Sequence, residues 1–411
     1  MENKPRIRFK GFTEDWEQRK LNDFGIATGG TSIESEFVDE GAYKVISIGS
    51  YSEESVYNDQ GLRVNKTGKT KSRILNKDDL TMILNDKTSS GNIIGRVLLI
   101  DQDNTYVYNQ RTERIEVDTK NFLPMFLYHM LNAPEQRKYI VKASQGNTQI
   151  YVNWSTISNI NYMIPTLPAE QEKIAYLFSL INKDITLHQC KLEKLKLTKK
   201  SLLQKLFPKN GKRIPEIRFK GFTDAWEQRK LGDLAEIVRG ASPRPISDPK
   251  WFNNDSDVGW LRIADVTAQD GRIRYLEQKI SELGQEKTRV IKTPHLLLSI
   301  AATVGKPVIN YVSTGVHDGF LIFLNPKFNI LYTFWWLEMF REKWNKYGQP
   351  GSQVNLNSDL VKNQVINIPN EKEQEKISLF LESLDKIITL HQCKLERLKE
   401  VKRGLLQKMF V

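Results

Sequence analysis

Basic and small polar residues recur together in the loops that the sequence predicts. Such side chains can hold DNA, because Lys and Arg neutralise phosphates while Arg, Asn and Gln pair with base edges. The first half of the chain offers Lys66, Lys69, Lys71, Arg73, Lys87, Ser89, Ser90, Asn92, Arg96, Arg111, Gln149 and Tyr151. The second half offers Arg239, Arg244, Arg262, Arg289, Lys306, Gln353 and Asn355. The sequence therefore predicts two separate groups of DNA contacts.

The overall charge of the chain is that of a protein with a polyanionic partner. Among 411 residues, 61 Lys and Arg outnumber 49 Asp and Glu, so the formal net charge is +12. Charge of this sign favours nucleic acid as the partner, although a well-solvated basic surface would give the same value. Apolar residues make up 39%, which is typical of folded domains with cores and not of disordered chains.

Motifs that would make the chain an enzyme are incomplete. Residues 61–70 end like a phosphate-binding P-loop, but Arg63 stands where that motif needs its first glycine. Asn325–Phe328 lacks the second proline of the Asn-Pro-Pro-Tyr/Phe loop of amino-methyltransferases, so a turn is the better interpretation. Asp270 with residues 277–279 has only a loose nuclease-like spacing. We expect a non-catalytic binding protein, with a self-sufficient DNA-modifying or DNA-cutting enzyme as the alternative.

The two cysteines, Cys190 and Cys393, give neither a disulfide framework nor the four convergent ligands of a zinc site. We therefore expect no metal and no cofactor on this chain, and a reducing compartment. The charged N-terminus has no apolar signal core, and no run of about 18 apolar residues occurs. These features predict a soluble, cytoplasmic protein.

The elements that position the polar loops come from an internal duplication. Residues 5–21, PRIRFKGFTEDWEQRKL, return as residues 215–231, PEIRFKGFTDAWEQRKL, and residues 170–207 return as residues 373–410. A repeat of this length indicates two units built alike. We predict a first domain at 1–167, a central helix at 168–208, a second domain at 209–370 and a C-terminal helix at 371–411.

Each repeat ends in a long helix whose apolar residues, spaced alternately four and three apart, form one seam. The first seam is Ile174, Phe178, Ile181, Ile185, His188, Leu192, Leu195, Lys199, Leu202 and Leu206, and the second is Ile377, Leu381, Leu384, Ile388, His391, Leu395, Leu398, Lys402, Leu405 and Met409. His188, Lys199, His391 and Lys402 interrupt the seams at matching places, as residues that fix the register of a coiled coil do. We expect an antiparallel pair; a parallel pair, or helices packed only on their own domains, would use the same seams.

Between the repeats, both halves have a mixed pattern. Short β-rich runs predict strands at Tyr43–Ile48, Leu80–Leu84, Gly95–Ile100, Arg114–Val117, Gly259–Ile263, Leu296–Ile300, Pro307–Tyr311 and Phe320–Leu324, and helices follow at Leu123–Asn132 and Ile330–Tyr347. Residues 93–96 match residues 303–306, which indicates one framework with different loops. The predicted fold class is α+β: two domains joined and separated by two long helices that form an antiparallel coiled coil, with a pseudo-twofold internal repeat.

This arrangement resembles the specificity (S) subunit of Type I restriction–modification enzymes. The resemblance is carried by Glu-Gln-Glu-Lys-Ile, which starts each long helix after Ile164-Pro165 or Ile368-Pro369, and by the openings at 9–21 and 219–231. It covers essentially the whole chain. It implies that each variable region reads one half of a bipartite, asymmetric DNA sequence, and that the coiled coil sets the length of the unread spacer.

The resemblance also implies partners. Two methyltransferase (M) subunits would dock on the helices and two restriction (R) subunits would complete the nuclease, so that S-adenosylmethionine, ATP and Mg²⁺ would belong to those partners. A helix of about 55 Å spans about sixteen base pairs, enough to separate two major-groove readers by roughly one turn. A structural coiled-coil adaptor without a DNA role is a further alternative.

Overall fold

The computed structural model describes residues 4–209, 211–292, 294–301, 303–347 and 356–411. It divides into two compact units, one made of Met1–Gln189 with Cys393–Val411 and the other of Cys190–Gln392. Each unit therefore combines one α+β domain with parts of both long helices.

The first unit is built on two four-stranded sheets, ordered β2-β10-β6-β8 and β3-β5-β4-β9. Its elements are β1 Glu17–Lys20, β2 Gly25–Gly29, β3 Phe37–Val38, β4 Tyr43–Ile46, β5 Arg63–Val64, β6 Leu80–Ile83, β7 Asn85–Asp86, β8 Val97–Leu99, β9 Tyr106–Tyr108, β10 Thr112–Val117, α1 Pro124–Leu131, α2 Pro134–Ala143, β11 Ile150–Tyr151, α3 Trp154–Ile157, β12 Asn161–Ile164 and the start of α4 Pro168–Lys205. Its largest buried cluster joins the first sheet, α1 and the start of α4.

The second unit repeats this framework with a five-stranded sheet, ordered β14-β21-β18-β19-β16, and a three-stranded sheet, β15-β20-β17. Its elements are β13 Glu227–Lys230, α5 Leu231–Leu234, β14 Glu236–Arg239, β15 Gly259–Trp260, α6 Ile263–Ala268, β16 Arg272–Ile273, α7 Glu282–Gln285, β17 Arg289–Ile291, β18 Leu296–Ser299, β19 Pro307–Asn310, β20 Thr314–Val316, β21 Phe320–Leu324, α8 Ile330–Phe340, α9 Ser358–Lys362, β22 Val365–Ile368 and the start of α10 Glu371–Met409.

Each strand predicted from a β-rich run overlaps an observed strand, although the bounds of all but β21 differ by one to three residues. The run at 259–263 keeps only the two residues of β15, because the chain turns into α6 at Ile263. The helix predicted to end at Tyr347 ends at Phe340 and continues as a 3-10 helix. The aromatic residues of α8 are buried in the core of the second unit.

The repeated openings have a structural explanation that the sequence pattern did not provide. Their Glu-Gln-Arg-Lys segments form β1 and β13, which pair antiparallel with β12 and β22, the strands directly before the long helices. Arg8 places two hydrogen bonds of 2.7 and 2.8 Å on the buried carboxylate of Glu170, and Arg218 does the same to Glu373. Each opening thus fastens its domain to the first turn of its own helix.

The glutamine after each of these glutamates extends the attachment. The side-chain carbonyl of Gln171 accepts from the backbone N–H of Leu123 at 3.0 Å, and that of Gln374 accepts from Asn329 at 2.9 Å. The two donors, Leu123 and Asn329, are the residues directly before α1 and α8. Because unpaired N–H groups at a helix start need partners, these glutamines connect each long helix to the domain helix beside it.

The long helices confirm the seams and the antiparallel prediction. Every seam residue is buried or half-buried. In the second unit Lys199 pairs with Asp385. Leu206, just after the end of α4, shares a buried cluster with Ile377, earlier in α10, so the two segments run in opposite directions. This excludes a parallel pair.

The ends of the long helices show that neither helix packs only on the domain that precedes it in the chain. The last turns of α10 lie in the core of the first unit, where Phe410 stacks on Phe178 at 5.7 Å between ring centroids. Leu206 and Phe207, at the end of α4, lie in the core of the second unit. Pro168 is the first residue of α4, where a missing N–H costs no hydrogen bond.

Candidate nucleic-acid interface

One loop of the first unit, residues 87–92, is held rigidly by buried polar groups. The carboxylate of Asp86 accepts from the backbone N–H groups of Thr88 and Ile93, both at 2.9 Å. The guanidinium of Arg137 donates to three carbonyl oxygens of residues 91–94 at 2.9 to 3.0 Å. These contacts leave Lys87, Ser89 and Ser90 exposed on a fixed backbone.

Strand pairing brings a second predicted group to this loop. Tyr151 of β11 pairs with Asn85 of β7, so Gln149 and Tyr151 lie beside the start of the loop. Both side chains are exposed. Arg111 reaches the same place, because its carbonyl oxygen accepts from the N–H of Leu84 at 2.8 Å. The sequence separates these residues, and the sheet brings them together.

The same edge of the first unit continues through the loop after β2. Arg73 donates to the carbonyl oxygen of Gly29 at 2.5 Å and to the hydroxyl of Thr31 at 3.3 Å. Lys69 donates to Ser35 at 3.0 Å. Lys66 and Lys71 are exposed in the segment around them. Eight of the twelve predicted residues of the first half therefore share one polar edge, which we name the first loop edge; its members are Lys69, Arg73, Lys87, Ser89, Ser90, Arg111, Gln149 and Tyr151.

Asn92 and Arg96 point elsewhere. The amide of Asn92 donates to Glu53 at 2.9 Å, and Arg96 donates to the hydroxyl of Ser55 at 3.0 Å. Burial lowers the pKa of Arg96. These two side chains stabilise the loop at 52–55, so we do not include them in the first loop edge.

The second unit gathers three of its predicted arginines around Asp318. Arg239 donates to the carbonyl oxygen of Asp318 and Arg244 to its carboxylate, each at 2.6 Å, while Arg289 donates to the carbonyl oxygen of Arg239 at 2.8 Å. Ser242 donates to the other carboxylate oxygen of Asp318 at 2.9 Å. We name Arg239, Arg244, Arg289 and the turn at 317–319 the second loop edge.

Charge compensation sets the ionisation of this cluster. Burial acts to raise the pKa of Asp318, but the Ser242 hydroxyl and the positive charge of Arg244 outweigh it and hold that pKa below its usual value. The carboxylate therefore stays ionised and fixes one side of the Arg244 guanidinium. The side chain of Arg244 remains 71% exposed, so its other donors face solvent.

The two loop edges occupy matching places in the framework. In the first unit the N–H of Gly30 donates to the carbonyl oxygen of Thr112, at the start of β10. In the second unit the N–H of Gly240 donates to the carbonyl oxygen of Phe320, at the start of β21. The turns before these strands hold Arg111 and Asp318. Equivalent positions of the two units thus carry different side chains.

Other predicted residues of the second half are neutralised within the protein. Arg262 pairs with Asp265 at 2.9 Å and with Glu277 at 3.3 Å. Lys306 pairs with Asp270 at 2.6 Å and Glu338 at 2.5 Å, and its side chain is only 13% exposed. Neither presents a free charge to a phosphate. Gln353 and Asn355 lie outside the residues that the structure describes.

Residues of the two candidate catalytic groupings have other contacts within the described chain. Asp270 pairs with Lys306 at 2.6 Å, and Glu277 pairs with Arg262 at 3.3 Å. In the loop at 325–328, Phe328 is buried in the core of the second unit and contacts Phe323 at 6.2 Å between centroids. Within the described ranges, no group of three or more His, Cys, Asp or Glu could hold a metal ion. The helices of the described chain include none that could span a membrane.

The polar seam residues occupy unlike surroundings. Lys199 pairs with Asp385 and lies 4.5 Å from the centroid of the Trp335 ring. Burial, and then the charge of Arg96, lower the pKa of Lys402, while burial lowers the pKa of the neighbouring His129 to about 3. His188 is buried and His391 half-buried. Cys190 and Cys393 are exposed, as their positions off the seam predict.

Sequence reasoning missed several residues that shape these edges. Arg137, Ser242 and Asp318 occur in no recognisable motif, and only the fold brings them to the loops. By contrast, Arg8 and Glu170 were detectable, because both recur in the second copy as Arg218 and Glu373. Repetition of a charged residue within a repeated segment was the signal.

Comparison with known proteins gives a consistent family. The family model described as the Type I restriction modification DNA specificity domain matches residues 13–197 and 223–400. The Type I restriction enzyme MjaVIII specificity subunit of Methanocaldococcus jannaschii is 22% identical over 413 residues, covering 96% of this chain and 91% of the relative. The putative MjaX specificity subunit of the same organism is also 22% identical, covering 98% of this chain and 95% of the relative.

Two solved structures share the fold. The S subunit of a Type I restriction-modification system from M. genitalium superposes with a TM-score of 0.66 at 15% identity, covering 99% of both chains. A structure concerned with complex assembly and conformational transition of the type I R-M system has a TM-score of 0.58 at 15% identity, covering 96% of this chain and 97% of that one. At such identities the likeness concerns the fold alone.

Proposed function

This chain belongs to the Type I restriction modification DNA specificity family, and from that membership we propose that its two units are target recognition domains, each reading one half of a bipartite, asymmetric DNA sequence. The observation that carries the proposal is the pair of loop edges. They occupy matching places in a duplicated framework and present different side chains. A protein built to read one symmetric sequence twice would have no need of this difference.

The chain itself is proposed to be non-catalytic. Its loop edges offer donors for phosphates and bases, which position a protein on DNA and select a sequence but do not transfer a methyl group or cut a strand. The methyltransferase (M) and restriction (R) subunits would supply that chemistry with S-adenosylmethionine, ATP and Mg²⁺. The proposed place of action is the cytoplasm.

Two M subunits are proposed to dock on surfaces that the two copies share. Tyr176, Leu180 and Leu187 of α4 are exposed in the first unit, with side chains 67%, 44% and 47% accessible. At matching positions of the second unit, Leu379 and Leu390 are 57% and 68% accessible. Apolar residues that stay exposed on a soluble helix mark a partner site, and a site present twice fits two copies of one partner.

The repeated openings border these stripes. Lys173 lies 5.0 Å from the ring centroid of Phe12, and Lys376 lies 5.7 Å from that of Phe222. Each stripe is therefore flanked by the same aromatic and basic residues. We name the two surfaces the docking stripes: Phe12, Lys173, Tyr176, Leu180 and Leu187 in the first unit, and Phe222, Lys376, Leu379 and Leu390 in the second.

The docking proposal is tested by the mass of the assembled complex. Tyr176→Asp and Leu379→Asp should each remove one M subunit, and the double variant both, as measured by light scattering coupled to size exclusion. Leu197→Asp is the matched control, because Leu197 is 68% exposed on α4 but Glu400 stands at its position in the second helix. Unchanged mass in the double variant would remove the stripes from the interface.

The reading proposal is tested by sequencing the methylated bases of a host that expresses the chain with its partners. We expect one motif made of two unlike half-sites separated by a spacer of fixed length and free sequence. A gel shift with the M subunit present should show salt-sensitive binding to that motif. A single undivided motif, tight S-adenosylmethionine binding by the isolated chain, or no DNA affinity in the complex would contradict the proposal.

A further inference from the structure

His317 belongs to the second loop edge, where it lies in the turn between β20 and β21. The loop that follows β14 holds this turn by hydrogen bonds on both sides of the histidine. The N–H of Ala241 donates to the carbonyl oxygen of Val316 at 3.0 Å, and the N–H of Asp318 donates to the hydroxyl of Ser242 at 3.2 Å. The backbone of His317 is therefore fixed.

The imidazole ring of His317 is held on three sides. Its centroid lies 4.9 Å from that of the Phe320 ring and 5.8 Å from that of the Trp260 ring. Gly319 closes the third side, since a Cβ atom at that residue would clash with Cε1 of the imidazole. A ring packed in this way is already ordered, so it loses little conformational freedom when it binds a ligand.

A backbone contact decides which ring nitrogen carries the proton. The N–H of Gly319 donates to Nδ1 of His317 at 2.8 Å, while the nearest carboxylate oxygen of Asp318 is 3.8 Å from Nδ1, too far to accept a proton from it. A nitrogen that accepts a hydrogen bond carries no proton, so the N–H group of the neutral ring is at Nε2. Burial lowers the pKa of His317, although the charge of Asp318 opposes it, and so favours this neutral form.

The Nε2 atom is available to a ligand. In the part of the chain that the structure describes, Nε2 has no hydrogen-bond partner, and it is not one of the atoms that burial cuts off from solvent. The side chain of His317 keeps 19% of its surface exposed. Arg239, Arg244 and Arg289 are exposed on the same edge and would hold the phosphates of a bound duplex. The edge therefore offers one neutral donor of fixed position among its cations.

The first unit uses the side chain at this place differently. Asn109 stands three residues before β10, as His317 stands three residues before β21. The side-chain oxygen of Asn109 accepts from the N–H groups of Ile33 at 3.1 Å and Gln110 at 2.8 Å, and the residue is only 5% exposed. Asn109 thus serves the loops of its own unit, whereas His317 keeps a donor for an outside group.

We propose that His317 is a specificity-determining residue, which donates from Nε2 to an acceptor on the major-groove edge of one base in the half-site of the second unit. This inference rests on the proposed function of that unit as a DNA reader. Guanine, adenine and thymine each offer an acceptor at the major-groove edge, whereas cytosine offers only a donor. The position that His317 reads should therefore reject cytosine most strongly.

The experiment measures DNA affinity by fluorescence anisotropy, with the chain in complex with M subunits. The probes are duplexes that carry both half-sites, with each base pair replaced in turn. His317→Asn keeps an oxygen that can accept from Gly319 but removes the donor at Nε2. It should weaken binding of the original motif about tenfold and abolish the preference at one position. His317→Gln places an amide N–H near the position of Nε2, so it should retain most of that preference.

The matched control is Lys327→Asn, which introduces the same side chain at an exposed position beyond the opposite end of β21. It should change neither the affinity nor the preferred bases. The half-site of the first unit is a second reference and should be read unchanged by all three variants.

A histidine that only supports the turn would give the reverse order, with His317→Asn tolerated and His317→Gln impaired, and this result would overturn the proposal. An equal loss on every sequence would also overturn it, because it would indicate a phosphate contact. If the original complex reads both half-sites but no base position depends on His317, this inference alone fails. If the original complex binds no bipartite DNA, the proposed function fails with it.

Discussion

Lys199 and Asp385 form an ion pair between the two long helices inside the second unit, with Lys199 also lying over the ring of Trp335. The pair holds one polar interruption of the seam in place. At the matching position in the first unit, Lys402 has instead His129 and Arg96 nearby. The same lysine thus has a different electrostatic role in each copy.

The first prediction concerns this ion pair. Both side chains are about one-fifth exposed, so their interaction exceeds that of a surface pair, and a double-mutant cycle with Lys199→Met and Asp385→Leu should give a coupling free energy of about 1 kcal/mol. Urea unfolding of the four proteins measures it. Lys200→Met serves as the control, because Lys200 follows Lys199 in α4 and its side chain is exposed. A coupling near zero would mean that the pair does not fix the register of the helices.

The second prediction is a pair of opposite pH dependences in the first unit. Burial lowers the pKa of His129 to about 3, so the folded state binds fewer protons than the unfolded state between pH 3 and 6.5. Its contribution to stability is therefore lost as the pH falls through that range. Burial raises the pKa of Glu113 to about 7, so its contribution is lost as the pH rises from 4.5 to 7.

Two neutral variants separate these effects. Relative to the original chain, His129→Gln should be more stable at pH 5 than at pH 7.5, and Glu113→Gln should be more stable at pH 7.5 than at pH 5. Urea titration with hydrogen exchange of the β6 and β10 amides measures both in the first unit. Shifts of the same sign in the two variants would refute the assignment.

The third prediction concerns phosphate contacts of the first loop edge. Lys87→Ala and Arg111→Ala should each weaken DNA binding of the complex and reduce the salt slope by about one. Lys120→Ala is the control, since Lys120 is exposed beyond the opposite end of β10. Fluorescence titrations at several salt concentrations give both quantities. A normal slope in both edge variants would place the DNA elsewhere.

The fourth prediction assigns base readout to Arg244. Asp318 fixes one side of its guanidinium and the rest is exposed, a geometry suited to the paired acceptors of guanine. Arg244→Ala should make one position of one half-site degenerate, with a loss of discrimination of about 1–3 kcal/mol. Asp318→Asn should have a smaller effect at the same position. Sequencing of methylated bases tests this.

The other half-site provides an internal reference for Arg244, because it is read by the first unit and should stay unchanged. Lys372→Ala, on the exposed first turn of α10, should alter neither half-site. Degeneracy in both half-sites, or none in either, would contradict the assignment.

The fifth prediction treats the coiled coil as a ruler. Inserting four residues into one long helix adds about one turn, so it should change the spacer preferred by the complex while leaving both half-sites intact. The methylated motif of the variant measures this. Altered half-site bases with an unchanged spacer would show that the helices do not set the distance.

Much of the fold could be predicted because its signals are local or repeated. Heptad spacing predicted α4 and α10, including the half-buried positions of Lys199 and Lys402, since a helix places residues three and four apart on one face. The β-rich runs predicted the central strands. The strands β1 and β13 were missed, because charged Glu-Gln-Arg-Lys segments form strands only when β12 and β22 are beside them.

The sequence by itself determined the duplication, the seams and the polar composition of the loops. Only the tertiary structure decided which polar residues act together. The folded chain places Arg111 beside Tyr151. It also pairs Arg244 with the carboxylate of Asp318 and neutralises Lys306 with two carboxylates. The reason is physical: charge and hydrogen bonding depend on distance in space, and residues far apart in the chain become neighbours only when strands pair and helices pack.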